Sequence, residues 1–189
     1  MNNSLIKGEN NKMNEKSRIS NIKIEGGRLI FKNFQGKENL PYNKEGDRNV
    51  GVLLDDELAE QLKADGWHVK YRPPRQDDGY EQPWLSVKVK YGMYPPTIVL
   101  INSNGKIRLT EETVGQLDWT QIQKADMIIR PYEYPAMLDK NGKEIRPAGI
   151  AAYIKSLYVT VQEDDLAAKY ADIPDLMPTA GEVEEVPFN

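Results

Sequence analysis

Aromatic and cationic side chains are interleaved in residues 67–94, WHVKYRPPRQDDGYEQPWLSVKVKYGMY. Cationic groups neutralise phosphates, and exposed ring faces stack on unpaired bases, each stack contributing about 1–3 kcal/mol. Reading a duplex would instead require a helix that fits a groove and presents Arg, Asn or Gln outward, and the sequence contains no such pattern. The segment therefore favours contact with a single strand of nucleic acid.

The candidate contacts are cations for phosphate neutralisation and rings for stacking. The cations are Arg48, Lys70, Arg72, Arg75, Lys88, Lys90 and Arg130, and the rings are Tyr71, Trp84, Tyr91, Tyr94 and Tyr132. A second cluster in IIRPYEYP, residues 128–135, either lines the same groove or caps the fold. Tyr and Trp also fill the cores of β proteins, so core packing is the alternative for each ring. Trp67 is assigned to the core.

Catalytic chemistry has little support. The chain has one histidine, His68, and no cysteine, and it lacks both a phosphate-binding loop and a dinucleotide fingerprint. Pairs of carboxylates occur at residues 55–56, 77–78 and 111–112, where a helix start or a loop explains each pair without a metal. The sequence predicts no enzyme, no metal and no cofactor.

The charge of the chain is divided unevenly. Net charge is +1 over residues 1–17, +2 over 18–162 and −7 over 163–189, which together make the total of −4. The longest aliphatic run, residues 97–101, is far shorter than the roughly 20 residues that span a bilayer. The sequence therefore predicts three parts: a disordered leader, one mildly basic domain, and an acidic end. The acidic end is expected to start with a short helix and to continue as a disordered tail.

Short strands with turn signals dominate residues 18–162. Two strands are predicted around Gly26-Gly27, a third at residues 48–54, and others at 67–72, 84–91, 125–134 and 150–162. Asn104-Gly105 and Asn141-Gly142 predict tight turns. Asp55 is the predicted N-cap of a helix over residues 55–65, and shorter helices are predicted at 110–117 and 163–170.

Such a set of strands must protect its edges, and closure into a small barrel is the simplest solution. We expect a mainly β, OB-fold-like five-stranded Greek-key barrel with an inserted helix and hairpins. A β-sandwich is the alternative that the pattern leaves open.

The chain ends in GEVEEVPFN, residues 181–189. A basic aromatic β domain followed by an acidic end with Pro-Phe resembles the single-stranded DNA-binding proteins of bacteria and their phages. The segment FKNFQGKENLPYNKEGDRNVGVLL, followed by GWHVK, looks like the N-terminal part of the phage-encoded members. This resemblance implies an OB-fold that binds single-stranded DNA and a tail that docks replication and recombination enzymes.

The resemblance also implies roles for five tail residues. Negative charge would come from Glu182, Glu184 and Glu185, and a hydrophobic anchor from Pro187 and Phe188. In the family the phenylalanine is usually last, whereas here Asn189 follows it and moves the terminal carboxylate.

The leading hypothesis is a non-catalytic, largely sequence-independent single-stranded DNA-binding protein that acts in phage replication or recombination, in the cytoplasm of the host cell. Its partners would be single-stranded DNA and, through the tail, replication or recombination proteins. Family members are monomers, dimers and tetramers, so homo-oligomer formation stays open. The alternatives are an acidic β interaction module or inhibitor, favoured by the pI of about 5.2, and a Mg²⁺-dependent nuclease.

Overall fold

The computed structural model of the protein describes residues 19–74 and 79–162 and Ile173. The predicted leader, the predicted helix at 163–170 and, apart from Ile173, the acidic tail lie outside these residues. The described part is mainly β, as predicted. Its strands are Ile22–Gly27 (β1), Leu29–Asn33 (β2), Asn49–Leu53 (β3), Val69–Arg72 (β4), Gln82–Lys88 (β5), Thr97–Asn102 (β6), Gly105–Leu109 (β7), Ile122–Tyr134 (β8), Met137–Leu138 (β9), Glu144–Arg146 (β10) and Gly149–Val161 (β11).

A closed ring of strands forms the barrel. β1 pairs with β8, β8 with β11, β11 with β5, β5 with β3, and β3 with β2. β1 and β2 are separated only by Arg28 and together act as one bent strand, which pairs with β8 through its first half and with β3 through its second. The β11–β5 contact is parallel and the other contacts in the ring are antiparallel. The predicted five-stranded Greek-key barrel is therefore confirmed, and the two glycines mark a bend rather than a hairpin.

Strand alternation fills the interior of the barrel. On β5, Leu85 and Val87 are buried while Trp84, Ser86 and Lys88 lie on the other face. Fully buried side chains converge on this core from the other strands and their connections; they include Phe34, Val50, Val52, Ile98, Leu117, Ile129, Ile154, Leu157 and Val159. Because successive side chains point to opposite faces, the same alternation that builds the core fixes which residues face outward.

The inserted helix lies between β3 and β4. It runs over Asp56–Ala64 (α1), and the carboxylate of Asp55 accepts a hydrogen bond from the backbone N–H of Leu58 at 2.7 Å, as predicted for its N-cap. The helix ends before Gly66, whose φ of 88° suits a residue without a side chain. Trp67 follows and is 4% exposed, which confirms its assignment to the core.

Two hairpins extend from the barrel. β6 and β7 are joined at Asn104-Gly105, and β6 also pairs in parallel with the second half of β11. β9 and β10 flank the Asn141-Gly142 turn between β8 and β11. Both turns are confirmed, whereas the helix predicted at 110–117 is a short 3-10 helix at Val114–Asp118. None of the helices in the described residues combines the length and apolarity needed to cross a membrane.

Candidate nucleic-acid interface

An open groove of about 440 Å³ lies on the outer surface of the barrel, where β4, β5 and β11 meet; we call it the basic groove. Its lining residues are His68, Lys70, Leu85, Ser86, Lys88, Tyr132, Tyr134, Pro135, Arg146, Ile150, Ala151, Ala152 and Tyr153. These residues all belong to the described part of the chain, and none of them is acidic. The groove therefore combines three permanent cations with three tyrosines and presents no carboxylate to repel an anion.

Strand pairing explains why these side chains meet. Lys70 on β4 pairs with Trp84 on β5, and Lys88 on β5 pairs with Tyr153 on β11. Trp84 and Lys88 share the outward phase of β5, four residues or about 13 Å apart. The barrel thus sets a row of alternating cations and rings along one face.

Cations lie against ring faces along this row. The Nζ atom of Lys70 is 5.0 Å from the ring centroid of Trp84, and that of Lys88 is 5.8 Å from the ring of Tyr153. Arg146 of β10 lies over Tyr134, with its Cζ atom 4.4 Å from the ring centroid. Such contacts hold the cations near the rings with N–H groups still free to donate to phosphate oxygens.

Arg130 links the groove to the loop after β5. Its Cζ atom lies 5.9 Å from the ring of Tyr153 and 5.8 Å from the ring of Tyr94, and its Nη2 donates a hydrogen bond to the backbone oxygen of Tyr94 at 3.1 Å. Tyr94 is 68% exposed, and Tyr132, which meets Tyr153 edge-on at 6.0 Å, is 58% exposed. Of the two alternatives for the cluster at residues 128–135, the structure therefore favours the first, since Tyr132, Tyr134 and Pro135 line the basic groove.

Phe31 is an aromatic residue of this surface that the sequence reasoning did not single out. It is 59% exposed, and its ring meets that of Trp84 at 5.1 Å and an angle of 61°. Its φ of 48° is unusual for a residue with a side chain, and the pairing of β2 with β3 shifts register between Ile30 and Asn33. Irregularities of this kind re-aim side chains and concentrate near functional sites.

Arg48 and Tyr91 lie away from the basic groove. Arg48 donates to Glu111 at 2.8 Å and its Cζ atom is 5.8 Å from the ring of Tyr91. Tyr91 packs against the core, and its buried hydroxyl has no hydrogen-bond partner among the described residues. Burial raises the pKa of this hydroxyl to about 12. The structure thus gives both residues packing contacts rather than open faces.

Of the remaining predicted contacts, three lie on β4 or just after β5, and the others lie outside the described residues. The ring centroid of Tyr71 lies 5.3 Å from the Nζ atom of Lys63 of α1, and Tyr71 does not line the groove. Arg72 lies two residues after Lys70 on β4 and therefore faces the same side of the strand. Lys90 is exposed just after β5. Those outside the described residues are Arg75, Glu182, Glu184, Glu185, Pro187 and Phe188.

Acidic residues near the barrel have structural contacts. Asp55 caps α1, Glu111 pairs with Arg48, and Glu112 accepts a hydrogen bond from the hydroxyl of Thr110, which lowers the pKa of Glu112. Within residues 19–74 and 79–162, no three His, Cys, Asp or Glu side chains are grouped so that they could hold a metal ion.

The position of the groove is typical of one class of barrel. OB-folds bind oligonucleotides on the face of their second and third strands and on the loops that join strands one to two and four to five. The ring counts β1 and β2 as one bent strand and leaves out β4, which pairs only with β5 among the described strands. With this count, β5 is the third strand of the barrel. Tyr134, Pro135 and Arg146 lie in or beside the connection between the fourth strand, β8, and the fifth, β11. Fold and groove together define an OB barrel that carries cations and aromatic rings on the face where OB-folds bind oligonucleotides.

Comparison with models of protein families assigns the chain to one family. A family model described as "Putative phage ssDNA-binding domain" matches residues 12–186, which is most of the chain. The protein therefore belongs to this family of phage single-stranded DNA-binding domains. No curated protein matches the sequence significantly.

Solved structures similar to this chain include two of the single-stranded DNA-binding protein of bacteriophage Enc34. A C-terminally truncated form is 12% identical with a TM-score of 0.46, over 76% of this chain and 87% of that one. The complex with ssDNA is 10% identical with a TM-score of 0.46, over 76% and 88%. The single-stranded DNA-binding protein gp2.5 of bacteriophage T7 is 11% identical with a TM-score of 0.35, over 87% and 98%.

Proposed function

We propose that the protein is a non-catalytic single-stranded DNA-binding protein and that the strand lies in the basic groove. The observation that carries this proposal is the lining of the groove, in which cations and rings occur together without any carboxylate. Family membership supports the choice of single-stranded DNA as the ligand.

Phosphate neutralisation supplies the first part of the binding energy. Lys70, Lys88 and Arg146 line the groove, and Arg130 and Arg72 flank it. Each phosphate that a cation neutralises releases condensed counterions, so the affinity falls steeply as salt rises. Arg75 and Lys90 extend the same set of phosphate contacts in this proposal.

Base stacking supplies the second part. Phe31 and Trp84 form one stacking platform, and Tyr132 and Tyr94 present exposed rings farther along the row. Stacking tolerates any base because every base has a π face, and no helix of the described residues lies across the groove to read base edges. Binding is therefore largely independent of sequence.

The acidic tail serves a different purpose in this proposal. It carries eight acidic residues and one basic residue over residues 163–189, and it ends in Pro187-Phe188-Asn189. We infer that the tail recruits replication or recombination proteins of the phage in the host cytoplasm, with Phe188 as the hydrophobic anchor.

Titration of the full chain with fluorescent oligo-dT tests the proposed function. We expect tight binding at about 50 mM salt that weakens by a factor of ten or more at about 200 mM, with much weaker binding to a duplex of equal length. A flat salt response, or no binding at low salt, would overturn the proposal and favour the interaction module. Recovery of the oligonucleotide after incubation with Mg²⁺ tests the non-catalytic part, which cleavage would contradict.

A further inference from the structure

β7 is a free edge of the sheet within the described part of the chain. It pairs with β6 on one side and has no described strand on the other. Lys106 and Arg108 share one face of β7, Ile107 lies on the other, and all three are exposed. An edge strand with unpaired backbone groups accepts an added strand when the side chains of that strand are complementary.

The last strand of the barrel ends close to this edge. Thr160 near the end of β11 pairs with Ile101 of β6, and Ile101 pairs with Lys106 of β7. Neighbouring strands lie about 4.8 Å apart, so Thr160 and Lys106 are roughly 10 Å from each other across the sheet. The continuous described chain therefore ends, at residue 162, about two strands away from β7.

One segment of the tail has the chemistry that this edge requires. In Glu182-Val183-Glu184 the two carboxylates fall on one face of an extended chain and Val183 falls on the other. The carboxylates match Lys106 and Arg108, and Val183 matches Ile107. Pro187 has no N–H to continue a ladder, so an added strand would end before Phe188.

We propose that residues 182–186 of the same chain add to β7 as a further strand. The 19 residues between positions 162 and 182 reach up to about 65 Å when extended, which far exceeds the distance required. Tethering gives the segment an effective concentration on the order of millimolar. The β7 strand of a second copy fits less well. Antiparallel pairing of two β7 strands centred on Ile107 would place Lys106 of each copy opposite Arg108 of the other, and like charges directly opposite each other are destabilising.

This docking site is separate from the basic groove. No lining residue of the groove belongs to β6 or β7. The proposal places the acidic segment where it does not compete with DNA and leaves Phe188 beyond the end of the added strand. It concerns the tail and the edge only, so it does not depend on the proposed DNA-binding function.

Hydrogen exchange of residues 105–109 tests the docking. We expect the amides that are not bonded to β6 to exchange about fivefold more slowly in the full chain than in a chain ending at residue 180. The Lys106→Glu/Arg108→Glu variant should exchange like the shortened chain. Combining it with Glu182→Lys/Glu184→Lys should restore the protection, because the charges are exchanged across the same contact.

Lys70→Glu/Lys88→Glu is the control, since it reverses as many charges in the basic groove. It should leave the exchange of residues 105–109 unchanged. Equal exchange in the full and shortened chains would overturn the proposal, and so would protection that disappears in the groove variant, which would place the tail in the groove. Oligo-dT titration is a separate readout, and a failure there would count against the groove and not against the β7 edge.

Discussion

At the scale of the residue, Phe31 shows how a backbone irregularity changes the role of a side chain. Leu29 and Phe31 are two apart and would share one face of a regular strand. The left-handed conformation at Phe31 and the register shift that follows interrupt this alternation, and the ring lies outside against Trp84. No residue type in the sequence marks the irregularity, so this part of the site could not be predicted.

Replacing Phe31 tests its part in the platform. Phe31→Ala and Phe31→Gly both remove the ring, and each should weaken oligo-dT binding about tenfold, within the range of about 1–3 kcal/mol for one stacked base. Glycine adopts positive φ without strain, so Phe31→Gly should unfold at a urea concentration no lower than Phe31→Ala does. Unchanged affinity in both variants would remove Phe31 from the site.

The position of Tyr91, unlike that of Phe31, could be predicted from the alternation of side chains along the sequence. It continues the odd-numbered phase of Leu85, Val87 and Val89, which are buried. The partnership of Arg48 with Glu111 is different, since it joins residues 63 positions apart. A contact at that separation depends on the folded barrel and not on any local pattern.

Tyr91→Phe should be at least as stable as the wild type at neutral pH, because it removes a buried hydroxyl without a partner among the described residues. The raised pKa means that the folded state retains its proton while the unfolded state loses it above about pH 10. Wild-type stability relative to the variant should therefore fall between about pH 10 and 12. Urea unfolding at several pH values measures this, with Tyr94→Phe as the exposed control. A parallel decline in wild type and Tyr91→Phe would contradict the burial.

At the scale of the element, the two Asn-Gly hairpins, the inserted helix and the barrel class were predictable, whereas the bent strand through which the ring closes was not. Asn104-Gly105 and Asp55 carry local turn and capping chemistry, which acts over a few residues. The bend between β1 and β2 closes the ring only because its halves find β8 and β3, and pairing over such distances leaves no local signature. The fold class thus followed from strand number and spacing, and the groove from the phase of β5.

Gly51 tests the contact between three strands at the stacking platform. A Cβ atom at Gly51 of β3 would lie 2.7 Å from Cγ1 of Ile30 and 3.1 Å from Cε3 of Trp84. Gly51→Ala should therefore push β2 and β5 apart, lower the free energy of unfolding by about 1–3 kcal/mol and weaken oligo-dT binding. Gly92→Ala, where a Cβ atom meets nothing within 4 Å, is the matched control. If Gly51→Ala had the same free energy of unfolding as the wild type, the strands would not pack this closely.

At the scale of the whole molecule, charge is segregated between body and tail. Residues 18–162 carry a net charge of +2 and residues 163–189 a net charge of −7. The basic groove concentrates cations on one face of the barrel although the chain as a whole is acidic. In the proposed function, this division separates the surface that binds the anionic strand from the segment that binds protein partners.

Deleting residues 171–189 should leave affinity for oligo-dT equal or raised, because the groove remains and negative charge is removed. The same deletion should weaken association with phage replication proteins in a pull-down assay. Fluorescence titration of both chains measures the first effect, and a large loss of DNA binding on deletion would contradict the division between body and tail.

The salt dependence of binding tests the central claim, that phosphates lie along Lys70 and Lys88. The slope of log K against log salt should become shallower by about 1.4 in Lys70→Ala/Lys88→Ala, because each lost phosphate contact on a single strand changes it by about 0.7. Lys23→Ala/Lys124→Ala removes equal charge from lysines that do not line the groove, and it should keep the wild-type slope. An unchanged slope in Lys70→Ala/Lys88→Ala would show that DNA does not lie in the basic groove.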